Sequence, residues 1–272
     1  MSEPHRGGTA PPAGPHAPAF PRVVVRAAYP RRPAPPAPAD PAGESYRLHL
    51  VSELVARARQ PYGAVQAYVQ DLLEQGVAFE WICDHVMPEV AERLGCQWED
   101  DTASFVDVTI GSGQLEQLVT RWHSAAEDGP AGGPRPRALV GPFPGEQHPL
   151  GVMLVADCLT RDGWDVVLTP RESDEATLYE ELSAEWYDVV ALSVTTERLG
   201  VRVPRVVRGV RRAARNPRIG VLLGGGLFRQ LPDLAGQSGA DGVAVDAQGA
   251  IVLARSMAPV GAPDGLLRRV HC

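Results

Sequence analysis

Val189-Val190-Ala191-Leu192 is an unbroken apolar run. It is too short for a core helix and apolar on both of its alternating faces. A strand of that kind must be covered on both sides, which happens in parallel sheets layered between helices. Similar runs recur at Arg137–Gly141, Asp165–Thr169, Arg218–Leu223 and Gly242–Asp246. Helical patterns fill the intervals. They run from Leu150 to Arg161, from a Ser173 or Asp174 cap to about Ser183, from Val203 to Arg215, from the glycines at 224–226 toward Leu234, and from Ala250 to Met257. Pro204 is tolerated in a first turn. The alternation predicts an α/β domain over 137–258, a flavodoxin-like five-stranded doubly wound parallel sheet.

The segment before it, 46–127, reads as a four-helix bundle packed as a cap. Its apolar residues recur at helical spacing from Tyr46 to Arg59, Tyr62 to Gln75, Phe79 to Leu94 and about Asp101 to Ala126. Gln60-Pro61, Gly76 and Gly95 separate the segments, Pro88 should bend the third, and Asp101-Thr102 can cap the fourth. His85 and His123 fall here, where a lone helical histidine is usually a surface or satisfied residue. Residues 128–136 are a Gly/Pro linker. Residues 1–45 hold 12 of the chain's 26 prolines and read as a disordered tail, with Val23-Val24-Val25 as a small anchoring strand. Residues 259–272 form a C-terminal tail.

Composition removes several classes of function. No apolar run approaches the ~20 residues of a membrane span, and no signal-peptide core opens the chain, so a cytoplasmic protein is expected. All 26 basic residues are Arg, which reflects a GC-rich genome more than a function. The net charge of -7 argues against a protein that binds nucleic acid through its whole surface. The four cysteines form no CxxC pair and suggest neither zinc nor a disulfide framework.

Three loops remain, all at the carboxyl ends of predicted strands, where ligands bind open α/β sheets. The first is Gly145-Glu146-Gln147-His148-Pro149-Leu150-Gly151. Glu146 can orient the His148 ring and raise its basicity toward a metal, and Gly151 leaves room at the helix start. The second is Ser193-Val194-Thr195-Thr196, small and rich in hydroxyls. The third, Gly224-Gly225-Gly226, permits close approach of a large group. None matches a dinucleotide or Walker pattern.

In this order the loops resemble the cobalamin (vitamin B12)-binding domain family, with its Asp-x-His-x-x-Gly, Ser-x-Leu and Gly-Gly motifs. The resemblance covers about residues 46–257. It implies a cobalamin cofactor, as adenosyl-, methyl- or hydroxocobalamin, with His148 as the lower cobalt ligand held by Glu146. It implies that Gly151, Ser193, Thr195, Gly224, Gly225 and Gly226 line the channel for the nucleotide tail. Two residues depart from the pattern: Glu146 stands for Asp and Thr195 for Leu. In the cap, Trp98 matches a Trp of light-sensing members, but Val108-Thr109 stand where those members carry Glu-His. Trp98, Val108 and Thr109 are the residues expected over the upper face.

The stretch Trp98–Gly111, joined to Glu-x-His-x-x-Gly, is most similar to the AerR-type antirepressors of purple phototrophic bacteria. That implies a light-responsive regulator, not an enzyme, acting through a PpsR/CrtJ-type repressor and touching DNA only through that partner. The alternative is a corrinoid shuttle protein of a methyltransferase system, which pairs a helical bundle with the same fold. Arg202, Arg205, Arg208, Arg211, Arg212 and Arg215 stripe the third α/β helix. They form either a solvated face over buried valines or a dock for an acidic or phosphate surface.

Overall fold

The computed structural model describes residues 23–25, 41–125 and 135–258; the linker and both chain ends fall largely outside them. Five parallel strands form the sheet: β2 (Arg137–Pro142), β3 (Asp165–Leu168), β4 (Val189–Ser193), β5 (Gly220–Gly224) and β6 (Gly242–Ala244). A sixth, β1 (Val23–Val25), joins the edge antiparallel to β3. It is the anchoring strand expected in the proline-rich region. The order is β1-β3-β2-β4-β5-β6. The strand order reverses at β2, with β3 added on one side and β4 on the other, so β2 and β4 flank the switch point where such sheets bind ligands.

Alternating residues of the apolar runs feed opposite faces. Leu139, Val190, Leu192, Val221 and Leu223 join a core with α7 (Glu175–Ala184) and α8 (Val203–Ala213). Ala138, Val140, Val189, Ala191 and Leu222 join a core with α6 (Leu150–Arg161) and α11 (Ala247–Met257). Two short helices, α9 (Leu227–Gln230) and α10 (Asp233–Gln237), follow β5. Helix α6 is apolar on two sides because it has two neighbours. Val152, Ala156 and Leu159 face the sheet, while Leu150 and Leu154 belong to the core of the helical cap.

The cap has the four expected segments, but the third is divided, giving five helices. They are α1 (Pro41–Ala58), α2 (Ala64–Glu74), α3 (Phe79–His85), α4 (Met87–Glu99) and α5 (Phe105–Ala125). Pro88 does more than bend the third segment. It lacks an N–H and sits in the first turn of α4, so the helix restarts at Met87. Gly95 does not stop α4, because its Cα faces open space and helix on either side carries it. Helix α1 opens at Pro41, inside the stretch read as tail, with proline in the first turn where a missing N–H costs nothing. Asp101 turns left-handed (φ 56°), and the cap of α5 is Ser104. The Ser104 hydroxyl accepts the Asp107 N–H at 3.1 Å, and the Asp107 carboxylate accepts the Ser104 N–H at 3.0 Å. This reciprocal pair is a capping box.

Cap and sheet domain are joined by a buried polar cluster as well as by α6. Arg161 on α6 forks onto Asp84 of α3 at 2.5 and 3.2 Å and onto Asp157 at 2.8 Å. Gln248 of α11 donates to Asp84 at 3.1 Å, and the Cys158 thiol does so at 3.1 Å. Asp84, Asp157 and Cys158 bring ligand atoms within 4.8 Å of one another, but the Arg161 guanidinium already supplies the positive charge there. Burial first, then the Asp84 charge, pushes the Cys158 thiol well above its ordinary pKa, so it is an unreactive thiol. Among the described residues no helix is long and apolar enough to cross a membrane.

Removing one partner from a buried pair strands the other charge. Asp84→Ala should lower the unfolding free energy by about 3 kcal/mol, as measured by denaturant titration. A loss below about 1 kcal/mol would show that this cluster does not hold the two parts together.

Candidate functional site

The strand register aligns Pro142, Ser193, Gly224 and Ala244 at one edge of the sheet. The three loops singled out from the sequence therefore emerge side by side. The first begins with a tight turn, Phe143-Pro144-Gly145-Glu146. The Glu146 N–H donates to the Phe143 carbonyl at 2.7 Å, and Gly145 takes φ 90°. Proline at the second position and a left-handed glycine at the third make this a type II turn. Arg202 braces it, donating to the Pro144 carbonyl at 3.1 Å with its guanidinium 5.9 Å from the Phe143 ring centre.

The turn drives the Glu146 side chain inward, where it is wholly buried. Its carboxylate accepts the backbone N–H groups of Gln147 (2.9 Å), Thr195 (2.8 Å) and Thr196 (2.9 Å). The Thr196 hydroxyl adds a contact at 3.1 Å, and Nδ1 of His148 lies 2.5 Å from Oε1. Burial alone would raise the Glu146 pKa. The hydrogen bonds from His148 and the three N–H groups reverse this and hold it at about 2. The hydrogen bond that His148 donates to Glu146 in turn raises the pKa of His148 against the opposing effect of burial, with the charges of Glu146 and Glu116 adding to the rise. The His148 side chain is 66% exposed. With Nδ1 committed to Glu146, Nε2 is the nitrogen open to a ligand. A buried carboxylate behind a metal-binding imidazole is the usual supporting arrangement for such a ligand.

The second and third loops shape the space beside the ring. A methyl group on Gly151 would lie 3.7 Å from the Ser193 hydroxyl, so the two sites are adjacent. Gly225 has φ 100°, and a Cβ there would come within 2.3 Å of the Val194 carbonyl oxygen. The third loop thus lies directly on the second, and only glycine fits at its middle. Gly226 in the same way faces Thr195, with 3.6 Å to its methyl group.

The expected cap residues separate. Trp98 is 53% exposed and meets Phe105 edge-on at 6.4 Å. With Val106 and Ile110 these two form an exposed apolar patch at the junction of α4 and α5. Thr109 is exposed among them, but Val108 turns inward onto the cap core. Two ion pairs run from the cap to the sheet domain: Glu92 to Arg229 of α9 at 3.6 Å and Glu116 to Arg171, in the loop after β3, at 2.5 Å. Sequence reasoning missed Thr196 and Arg202. Thr196 was legible only as a second hydroxyl after a strand, and Arg202 only as one member of an arginine stripe.

Two predictions follow from this geometry. Glu146→Gln should move the His148 titration midpoint, read by NMR, downward toward 6.5; an unchanged midpoint would mean the pair does not form in solution. The pair's effect on stability has two limits. His148 contributes fully below 6.5 and loses its contribution as pH rises through its raised value, whereas Glu146 contributes above 4.5 and loses its contribution as pH falls toward 2. Gly225→Ala should cost about 2 kcal/mol or more through backbone strain and overlap, seen as a lower midpoint of thermal unfolding.

Comparison with known proteins identifies the family. The family model described as B12 binding domain matches residues 136–254. A Rhodobacter capsulatus protein, "Uncharacterized 20.5 kDa protein in bchF-crtJ intergenic region", is 30% identical over 176 residues, 62% of this chain and 88% of that one. The monomethylamine corrinoid protein of Methanosarcina barkeri superposes with a TM-score of 0.63. It covers 76% of this chain and 96% of its own at 15% identity, a likeness of fold alone. The chain belongs to the B12-binding domain family, and its cofactor is cobalamin.

Proposed function

We propose that this protein is a cobalamin-dependent, light-responsive antirepressor that acts through a PpsR/CrtJ-type repressor and reaches DNA only through it. The observation that carries the cofactor chemistry is the His148–Glu146 pair, with a buried, multiply bonded carboxylate behind an exposed ring. The regulatory part is supported by the relative that lies between bchF and crtJ. No catalytic role is proposed.

In this reading His148 Nε2 is the lower ligand to cobalt, and Glu146 fixes the ring and its Nδ1 proton. Gly151, Ser193, Thr195, Gly224, Gly225 and Gly226 make room for the nucleotide tail. Trp98 and Thr109 lie against the upper face, and Val108 supports them from the cap core. Bound cobalamin supplies a light-labile upper ligand. The chain supplies a cap whose attachments differ in strength. The Asp84–Arg161–Asp157 cluster is buried and costly to break. The two ion pairs, Glu92–Arg229 and Glu116–Arg171, each have a largely exposed arginine and contribute at most about 1 kcal/mol apiece. A change at the upper face would therefore release the cap at these pairs while it pivots on the buried cluster, shifting the population of surfaces offered to a repressor.

Protein purified in darkness with adenosyl-, methyl- or hydroxocobalamin should keep the corrin through gel filtration. Its visible spectrum and its binding to the repressor should both change on illumination. Retention without a light response would instead identify a corrinoid shuttle protein, and failure to retain any corrin would overturn both readings. His148→Ala should lose the spectral signature of imidazole ligation. In the wild type that signature should fade at acid pH, below the pKa of the metal-free His148, because the proton then competes with the metal for Nε2.

A further inference from the structure

Helix α8 has two sharply different faces. Val203, Val206, Val207 and Val210 are almost wholly buried against the sheet. The opposite side carries the arginines, and the structure sorts them into two groups. Arg202 and Arg205 both pair with Glu175, Arg211 pairs with Asp241 and the Gly239 carbonyl, and Arg215 donates to the Ala184 carbonyl. Arg208 and Arg212 are exposed and have no hydrogen-bond or ion-pair partner among the described residues. They lie four positions apart, on the same face as the 63% exposed Arg205. Like charges at this spacing repel and weaken a helix by a few tenths of a kcal/mol per pair. Arg212, in the last turn, is favoured by the helix dipole, but Arg208 gains nothing from its place on the helix.

We propose that the Arg205-Arg208-Arg212 face is a docking surface for an acidic segment of a partner protein. Charge complementarity is the first argument: an arginine face on which only Arg205 is met by an acid, Glu175, stands on a chain of net charge -7, so the rest of the surface is more acidic still. That same field opposes approach of a nucleic-acid duplex, whose charge is dense and extended. The second argument is what borders the face. Val201, just before α8, is 87% exposed. Leu234 packs on neighbouring Gly200, which brings the 40% exposed Leu231 to the same end. Apolar side chains beside a basic stripe suit a protein surface and offer nothing to a phosphate backbone.

The position also links the face to the cofactor loops. Thr195 and Thr196 bind Glu146, and the chain then passes through one 3-10 turn, Glu197–Arg202, directly into α8. A partner seated here is two short segments from His148. The proposal rests on the antirepressor reading for the partner's identity, but its test does not.

The probe is labelled poly-L-glutamate, titrated at low salt into the cobalamin-loaded protein. Wild type should bind it and lose binding as salt rises. Arg208→Glu/Arg212→Glu should weaken binding about tenfold, as expected for two exposed charge contacts, with the visible spectrum of the bound cobalamin unchanged. A charge-matched control, Arg59→Glu/Arg121→Glu on the cap, should bind like wild type. Equal weakening in the control, no loss in the α8 variant, or loss of bound cobalamin in that variant would overturn the proposal. So would tighter binding of a duplex DNA than of polyglutamate with the same arginine dependence. Polyglutamate binding without repressor binding would sink the antirepressor reading and leave the docking surface standing.

Discussion

The site depends on one carboxylate. Among the described residues Glu146 is buried without an arginine ion-pair partner, a state that is costly unless the charge is fully hydrogen-bonded. Three backbone N–H groups, the Thr196 hydroxyl and the His148 ring meet that requirement. Because those donors come from two loops, satisfying the carboxylate also fixes the β2 loop against the β4 loop. One side chain thus holds the imidazole and reaches both threonine N–H groups.

Helix α6 carries that local order to the rest of the molecule. It begins beside His148, packs on the sheet along one side and on the cap along the other, and ends in the Arg161 cluster that holds Asp84 of the cap. Interfaces of this kind move as units because close-packed side chains do not deform continuously. The buried cluster at α6 contrasts with the two ion pairs whose arginines are exposed, so the attachments of the cap differ in strength.

Much of this was legible before any coordinates. The strand runs and helix periods located all five parallel strands, and α6 was bounded to the residue, because burial on both faces leaves a strong apolar signal. The three loops were found because glycine, histidine and hydroxyl residues there have no role in a strand or helix. The division of the third cap segment at Pro88 and the capping of α5 by Ser104 were less visible, since a proline can bend or restart a helix and several residues near a start can cap it. Thr196 and Arg202 were missed because their contacts are to residues 50 and 58 positions away.

The sequence by itself determined the layered α/β architecture, the helical cap, and the three glycine- and hydroxyl-rich loops at the carboxyl ends of the strands, since these follow from local periodicity and from residue types that suit only one backbone. Tertiary structure decided what those residues do to one another. It showed that Glu146 joins two loops as well as supporting His148, that Val108 faces inward while Trp98 and Phe105 stay exposed, and that Arg208 and Arg212, alone among the α8 arginines, lack a partner among the described residues. Each of these depends on which distant groups come within about 3 Å, the range over which a hydrogen bond forms, and periodicity carries no information about that.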